Sequence, residues 1–247
     1  MNSEELIGKM QFKPYDINLF GLKIPISDSI IVMWMIMVAL VVLAIIFTRN
    51  LRMVPTGKQN VAESIVDFVN NFTKGSLGHH WKPFAPYFGT MILFLLFSNI
   101  VSIFNVLPTG KAIAEATGLS FLGKLPEIAP PTKDIDITAT MAIMSIIIVL
   151  FASIKIKGVK GWLKTFVTPL PLMLPFKIME YFVRPLSLCL RLFGNILAAF
   201  TIMELIYIAE PFLIPGIFSL YFDLFDGGLQ AYIFVFLTSL YIAEAIE

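Results

Sequence analysis

Arg191 is the residue whose chemistry most needs an explanation. It lies in the run PLSLCLRLFGN, Pro185 to Asn195, inside one of the most apolar parts of the chain. A guanidinium keeps its charge at any physiological pH, and placing it at bilayer depth costs about 3 kcal/mol or more. The position therefore predicts a fixed positive charge that acts on a group elsewhere.

Five polar residues share one face of the helix that would carry this arginine. They lie within about 40° of one line on a helical wheel and are Glu180, Arg184, Ser187, Arg191 and Asn195. Glu180 and Arg184 stand four apart in the favourable order, which predicts a structural ion pair. The helical neighbours of Arg191 include no carboxylate, so its counter-charge must come from another segment or another protein.

Three further polar residues lie at depth in the same part of the sequence: Glu204, Asp223 and Gln230. Ionisable residues inside a membrane predict an ion path. For Asp223 there are two alternatives: a buried pair with Arg191 that only fixes helix register, or a local loop near the surface. Small residues also accompany the arginine, namely Gly194, Ala198 and Ala199, and they allow close approach of a partner bearing a carboxylate.

The composition is that of an integral membrane protein. Of 247 residues, 57% are hydrophobic and 14% charged, and the mean hydropathy is +0.84; a soluble domain is about half apolar and a quarter charged. The net charge of +1 gives no reason to expect a nucleic-acid partner. Cys189 is the single cysteine, and His79 and His80 lack further ligands, so we expect neither a metal site nor a cofactor.

Three apolar runs are long enough to cross about 30 Å of hydrocarbon: residues 29–48, 88–107 and 135–154. Residues 58–75 place apolar side chains on one helical face and predict an amphipathic helix at the interface. Residues 1–27 form a polar N-terminal segment, and residues 108–134, rich in glycine and proline, predict an outside surface loop. Basic residues follow the first and third runs, so the N-terminus is expected outside and the C-terminus in the cytoplasm.

The C-terminal third predicts two unusually long helices, 170–209 and 212–246. The stretch Phe176 to Ala209 would be about 51 Å long as one helix, too long to cross the membrane upright. A tilt of about 20°, which is ordinary for membrane helices, is too small to fit this length within the membrane. We therefore expect an all-α integral membrane protein with a single domain, 1–247. It would have about five membrane helices and one amphipathic interfacial helix, the last two being a steeply inclined hairpin.

The sequence SLCLRLFGN, with Pro185 before it, closely resembles the signature of subunit a of F-type ATP synthases. PPTKDIDIT at 130–138 is similar to the family's stretch before a membrane helix. LQAYIF at 229–234 resembles its last-helix motif, and PYFGTMILFLLFSN at 86–99 resembles its second span. The segments occur in the family's order, and the arginine and glutamine motifs are the specific ones.

This resemblance implies a stator subunit with no catalytic chemistry of its own, in a bacterial plasma membrane. Arg191 would be the essential arginine facing the carboxylates of a ring of c subunits, with Asn195 and Gln230 lining its neighbourhood. Other implied partners are the b subunits of the peripheral stalk, membrane lipid, and the transported cation, H⁺ or Na⁺. Two ion half-channels would couple cation translocation to ring rotation and ATP synthesis.

The sequence departs from the family at Phe200, nine residues after the arginine, where relatives often have a glutamate. Glu204 lies one helical turn further on and is a candidate for the same polar role at another depth. The alternative function is a self-contained secondary transporter or ion channel. Such a protein needs a substrate site within one chain, commonly at a repeat interface, and no repeat is visible.

Overall fold

The computed structural model describes residues 15–19, 22–49, 57–103, 131–167, 174–209, 217–218 and 220–246. These residues form an all-helical membrane protein, except for a short β hairpin ahead of the first helix. Four helices are long and apolar enough to span a membrane, and a shorter apolar helix covers Ala85–Val101. The fold class expected from the composition is confirmed.

The hairpin was missed by the sequence analysis, which predicted only a polar segment over residues 1–27. Strand β1 (Tyr15–Leu19) pairs antiparallel with β2 (Leu22–Ile26), so that Tyr15 lies opposite Ile26. The strands contain several isoleucines, which favour extended backbone. Each strand has only five residues and polar neighbours, so the pattern is too short to predict a strand.

Helix α1 (Asp28–Thr48) begins where the backbone N–H of Ser29 donates to the hydroxyl of Ser27, at 3.4 Å. Helix α2 (Lys58–Leu77) and helix α3 (Ala85–Ile103) follow. Helix α2 is too polar to be among the candidate spans. Its Phe72 ring packs against Phe88 of α3, while Val61, Ile65 and Phe68 stay exposed.

Helix α4 (Ile135–Val167) extends well beyond the expected end at residue 154. The lysines that follow the apolar run mark the end of the hydrocarbon span, but lysine is a good helix former and the backbone continues through them. Gly158 interrupts the helix with φ 73 and ψ 162, a conformation open to glycine. The basic segment after this apolar run therefore begins as helix.

Helix α5 (Leu174–Ala209) has 36 residues with Pro185 inside it, and α6 (Gly227–Ile246) has 20. A π-helical segment, Leu220–Asp226, leads into α6. Residues 170–173 and 210–216, which belong to the expected hairpin, lie outside the described residues. Gly227 and Gly228 belong to α6, which corrects the alternative of a local loop there.

Helix α6 lies at the centre of the fold and packs against α2, α3 and α4. Partly buried hydrogen bonds join these helices: Tyr87 to Ser145 between α3 and α4, at 3.0 Å, and Ser153 to the carbonyl of Ala245 between α4 and α6, at 3.0 Å. Helix α5 packs chiefly on α4 and contacts α6 less extensively. The last two long helices are thus held together largely through α4.

The end of the expected outside loop is buried, which corrects part of that prediction. Residues Pro131–Lys133 form a 3-10 turn, and Thr132, Lys133 and Asp134 are all less than 10% exposed. The turn packs against α1, α3 and α5. Residues 104–130, the rest of the expected loop and the end of the second run, lie outside the described residues.

Candidate functional site

Helix α5 presents two contrasting faces. Leu188, Cys189 and Leu192 are buried, and Cys189 lies 3.8 Å from the hydroxyl of Thr138 on α4. The opposite face is exposed over its whole length, at Phe176, Glu180, Val183, Ser187, Leu190, Arg191, Gly194, Ala198, Ile202 and Leu205. This set is called the open face of α5 below. It is a mostly apolar surface with Arg191 near its middle.

Arg191 forms no hydrogen bond or salt bridge with any described residue. Its pairing with Asp223, one of the alternatives raised by the sequence, is not the arrangement seen. Asp223 is half-buried in the π-helical segment and interacts with other groups. Next to Arg191, Gly194 has open space where a side chain would be. A cation in this position is available to a second protein.

Arg184, seven residues earlier, is fully engaged. Its guanidinium contacts Glu180 within α5 and Glu244 of α6, the latter at 2.7 Å, and lies 4.8 Å from the centroid of the Tyr241 ring. The sequence spacing predicts the contact of Arg184 with Glu180 but not its contact with Glu244. No helical spacing predicts that Glu244 and Tyr241 contact Arg184, because they lie on another helix and approach it only in the tertiary fold.

The other predicted site residues are placed as follows. Ser187 is exposed on the open face of α5 and Asn195 is half-buried on the same helix. Gln230 lies in α6 with 5% exposure, and its side-chain nitrogen has no hydrogen-bond partner among the described residues. Glu204 belongs to α5, but its side chain lies outside the described part. Among the predicted site residues, Glu180 and Arg184 are the only two that contact each other in the part of the chain that the structure describes.

Asn99 is a residue whose importance the sequence analysis missed. Its side-chain amide donates to the carbonyl of Gly227 at 2.9 Å, inside the protein, and so joins α3 to the start of α6 three residues before Gln230. A side-chain carbon on Gly227 would come within 2.8 Å of Asn99. The adjacent glycines were the available signal for this close approach.

No group of three or more His, Cys, Asp or Glu side chains that could hold a metal occurs among the described residues. The polar groups that this part of the chain offers are a fixed cation, Arg191, on an exposed face, and buried amide and hydroxyl groups in the helices of the fold. Together the fold and this face define a multi-pass membrane protein that exposes a cation on a mostly apolar helix face.

Comparison with known proteins identifies the kind of subunit. Residues 30–243 match the family model described as ATP synthase A chain. The protein named "ATP synthase subunit a, sodium ion specific" from Propionigenium modestum is 35% identical over 222 residues, which cover 90% of this chain and 75% of the relative. The chain belongs to the ATP synthase A chain family, that is, subunit a of F-type ATP synthases.

Membership in this family establishes the general role of the chain. It is an ion-translocating, multi-pass membrane component of ATP synthase, without catalytic chemistry of its own. Membership also implies association with the c ring and with other subunits of the synthase. The resemblance drawn from the arginine and glutamine motifs is confirmed at the level of the family.

Proposed function

We propose that this chain provides the two ion half-channels of the synthase and that Arg191 couples cation movement to rotation of the c ring. The observation that carries this proposal is the position of Arg191. It lies on the open face of α5, without a counter-ion among the described residues, while Arg184 on the same helix has two. A rotor carboxylate supplies the missing charge.

The fixed charge acts on each carboxylate as it passes. An opposite charge nearby favours the ionised form of a carboxylate and therefore lowers its affinity for the bound cation. The cation is released into one half-channel, and the carboxylate reloads from the other after it has moved on. The same charge repels free cations, which prevents leakage between the half-channels. Lysine is a poor substitute, because a buried amine can lose its proton.

The proposed ion path runs past the polar residues near Arg191. Ser187 and Asn195 lie on the same helix, and Gln230 and Asp223 come from α6 and the segment before it. Glu204 completes the set at the far end of α5. The amide nitrogen of Gln230, which has no hydrogen-bond partner among the described residues, supports this role, because a buried donor usually has an acceptor and an ordered water in the ion path provides one.

The transported cation is H⁺ or Na⁺. The relative from Propionigenium modestum is named as sodium ion specific, and the resemblance implies that the choice lies mainly in the binding site of the c ring. We further propose a bacterial plasma membrane location with the N-terminus outside and the C-terminus in the cytoplasm. The b subunits of the peripheral stalk and membrane lipid are the remaining partners.

The test is Arg191→Ala in the complete synthase, reconstituted in vesicles. We expect ion-driven ATP synthesis to fall to background while the a, b and c subunits still purify together. Arg49→Ala is the matched control, because Arg49 is exposed at the end of α1, and it should retain near-normal synthesis. Near-normal synthesis by Arg191→Ala would show that the proposed role is wrong.

A further inference from the structure

Lys133 is a buried cation with no part in the function proposed so far. It ends the 3-10 turn before α4, is 8% exposed, and its ammonium nitrogen lies 3.2 Å from the centroid of the Phe200 ring on α5. Lys133 also interacts with another group. A lysine that could extend into solvent instead points inward onto an aromatic face.

The contact is energetically meaningful because Lys133 is buried and Phe200 is half-buried. A cation over an aromatic ring gains about 0.5–1 kcal/mol at exposed sites and about 2 kcal/mol or more when desolvated. A buried charge with its partner removed is strongly unfavourable. Replacing the ring by an aliphatic side chain therefore removes a favourable contact and leaves the ammonium group in place.

The backbone that carries Lys133 is held firmly. The amide of Asp134 donates to the carbonyl of Pro131 at 3.1 Å, and the Asp134 carboxylate accepts from the amide of Asp136 at 3.1 Å, at the start of α4. Lys133 is thus fixed to the end of α4. Its side chain connects that end to Phe200, which lies about 13.5 Å along α5 from Arg191.

A second contact fixes α5 on α4 close to the arginine itself. There the Thr138 hydroxyl lies 3.8 Å from the sulfur of Cys189, two residues before Arg191. On the same buried face of α5, Leu188 and Leu192 pack into the hydrophobic core beside Arg191, and α5 contacts α6 much less extensively than α4. Helix α5 packs on α4 more extensively than any other two elements of the described residues pack on each other, and the contacts of Lys133 and Cys189 add specific restraints on the position of α5 along α4 and on the height of Arg191.

We propose that Lys133 is a positioning residue for Arg191, and that its cation–π contact with Phe200 sets the position of α5 along α4. This inference rests on the proposed role of Arg191. A charge that must meet each passing carboxylate acts over a short range, and a shift of about 1 Å in such geometry can cost about a hundredfold in rate. The contact keeps the arginine at the height of the rotor carboxylates.

A double-mutant cycle in the complete synthase tests whether the contact between Lys133 and Phe200 positions Arg191. Lys133→Met and Phe200→Leu should each lower ion-driven ATP synthesis per assembled complex about 3- to 30-fold. Both should also lower the number of cations pumped per ATP hydrolysed, which a purely structural loss of complex would leave unchanged. The double variant should be no worse than either single variant, because both remove the same contact. Lys133→Arg and Phe200→Tyr, which keep a cation and a ring face, should stay within about twofold of the parent.

Additive losses in the double variant would overturn the inference, and so would normal coupling in Phe200→Leu beside a loss in Lys133→Met. The latter result would mean that the lysine charge acts without the ring. If Lys133→Met does not assemble, the comparison of Phe200→Leu with Phe200→Tyr decides the matter. Arg191→Ala, measured in the same vesicles, reports separately on the proposed function. If Arg191→Ala loses ATP synthesis while the losses in the double-mutant cycle are additive, the proposed function stands and only the role of Lys133 is wrong.

Discussion

Gly227 begins α6 directly against the side chain of Asn99. Its carbonyl accepts a buried hydrogen bond at 2.9 Å, and an added Cβ would lie 2.8 Å from the Cβ of Asn99. A β-carbon is fixed to the backbone, so the contact cannot be relieved by rotating a side chain. One of the two helices would have to move.

We therefore expect Gly227→Ala to lower the stability of the assembled protein by about 1–3 kcal/mol, through overpacking and disturbance of the hydrogen bond. Gly228→Ala is the matched control, because nothing lies within 4 Å of the position of its Cβ. The control should be neutral or slightly stabilising, since alanine favours helix. Thermal unfolding of the purified complex measures both, and equal midpoints for the two variants would contradict the expectation.

At the residue level, the sequence identifies charges but not their tertiary partners. It showed that Arg191 lacks a carboxylate at helical spacing, and it pointed to Glu180 for Arg184. Helical spacing is a local rule that needs only the chain itself. The contact of Arg184 with Glu244 and that of Lys133 with Phe200 join different helices, so no local spacing predicts them.

Among elements, the link between α5 and α6 depends on few contacts, and Arg184 supplies a central one. Its side chain is 11% exposed and contacts carboxylates on both helices. Because Glu244 is 61% exposed, the pair by itself contributes little, as exposed pairs are typically worth about 0.2–1 kcal/mol. The arginine matters more, because it also stacks on Tyr241.

We therefore expect three variants to lower the thermal midpoint of the complex to different extents. Arg184→Met should lower the thermal midpoint of the complex most, by more than about 4 °C, because it removes both carboxylate contacts together with the stacking on Tyr241. Arg184→Lys should have a smaller effect, since one ammonium cannot reproduce the planar fork. Glu244→Gln should shift the midpoint by no more than about 2 °C. A Glu244→Gln effect as large as that of Arg184→Met would contradict this ranking.

The boundaries of elements follow from the sequence only where apolar character and helical backbone end together. They do so for α1, whose observed range of 28–48 nearly matches the apolar run. They do not for α4, because hydropathy reports the end of the hydrocarbon, while helical backbone continues past the first lysines and, after the interruption at Gly158, resumes as far as Val167. The buried turn at Pro131–Lys133 was hidden for a similar reason: proline and a charge suggest surface, while burial depends on the helices around them.

At the scale of the whole molecule, the open face of α5 is the surface on which the proposed function depends. It is apolar enough to lie in a membrane and carries one cation without a partner among the described residues. Lipid alone would leave that cation uncompensated, at a cost of about 3 kcal/mol or more. A protein partner that brings a carboxylate explains both properties, and it must lie against the positions adjacent to Arg191.

Cross-linking of the assembled synthase tests this placement. Leu190→Cys and Gly194→Cys, both exposed beside Arg191, should form cross-links to cysteines introduced next to the rotor carboxylate. Ile147→Cys is the control, because Ile147 is equally exposed but lies on α4, away from the open face. It should react with a membrane-permeant thiol reagent and form no cross-link to the ring. Cys189 is buried and common to all three variants. Cross-links from Ile147→Cys to the ring, with none from the α5 variants, would place the rotor on the wrong side for Arg191 to act on it.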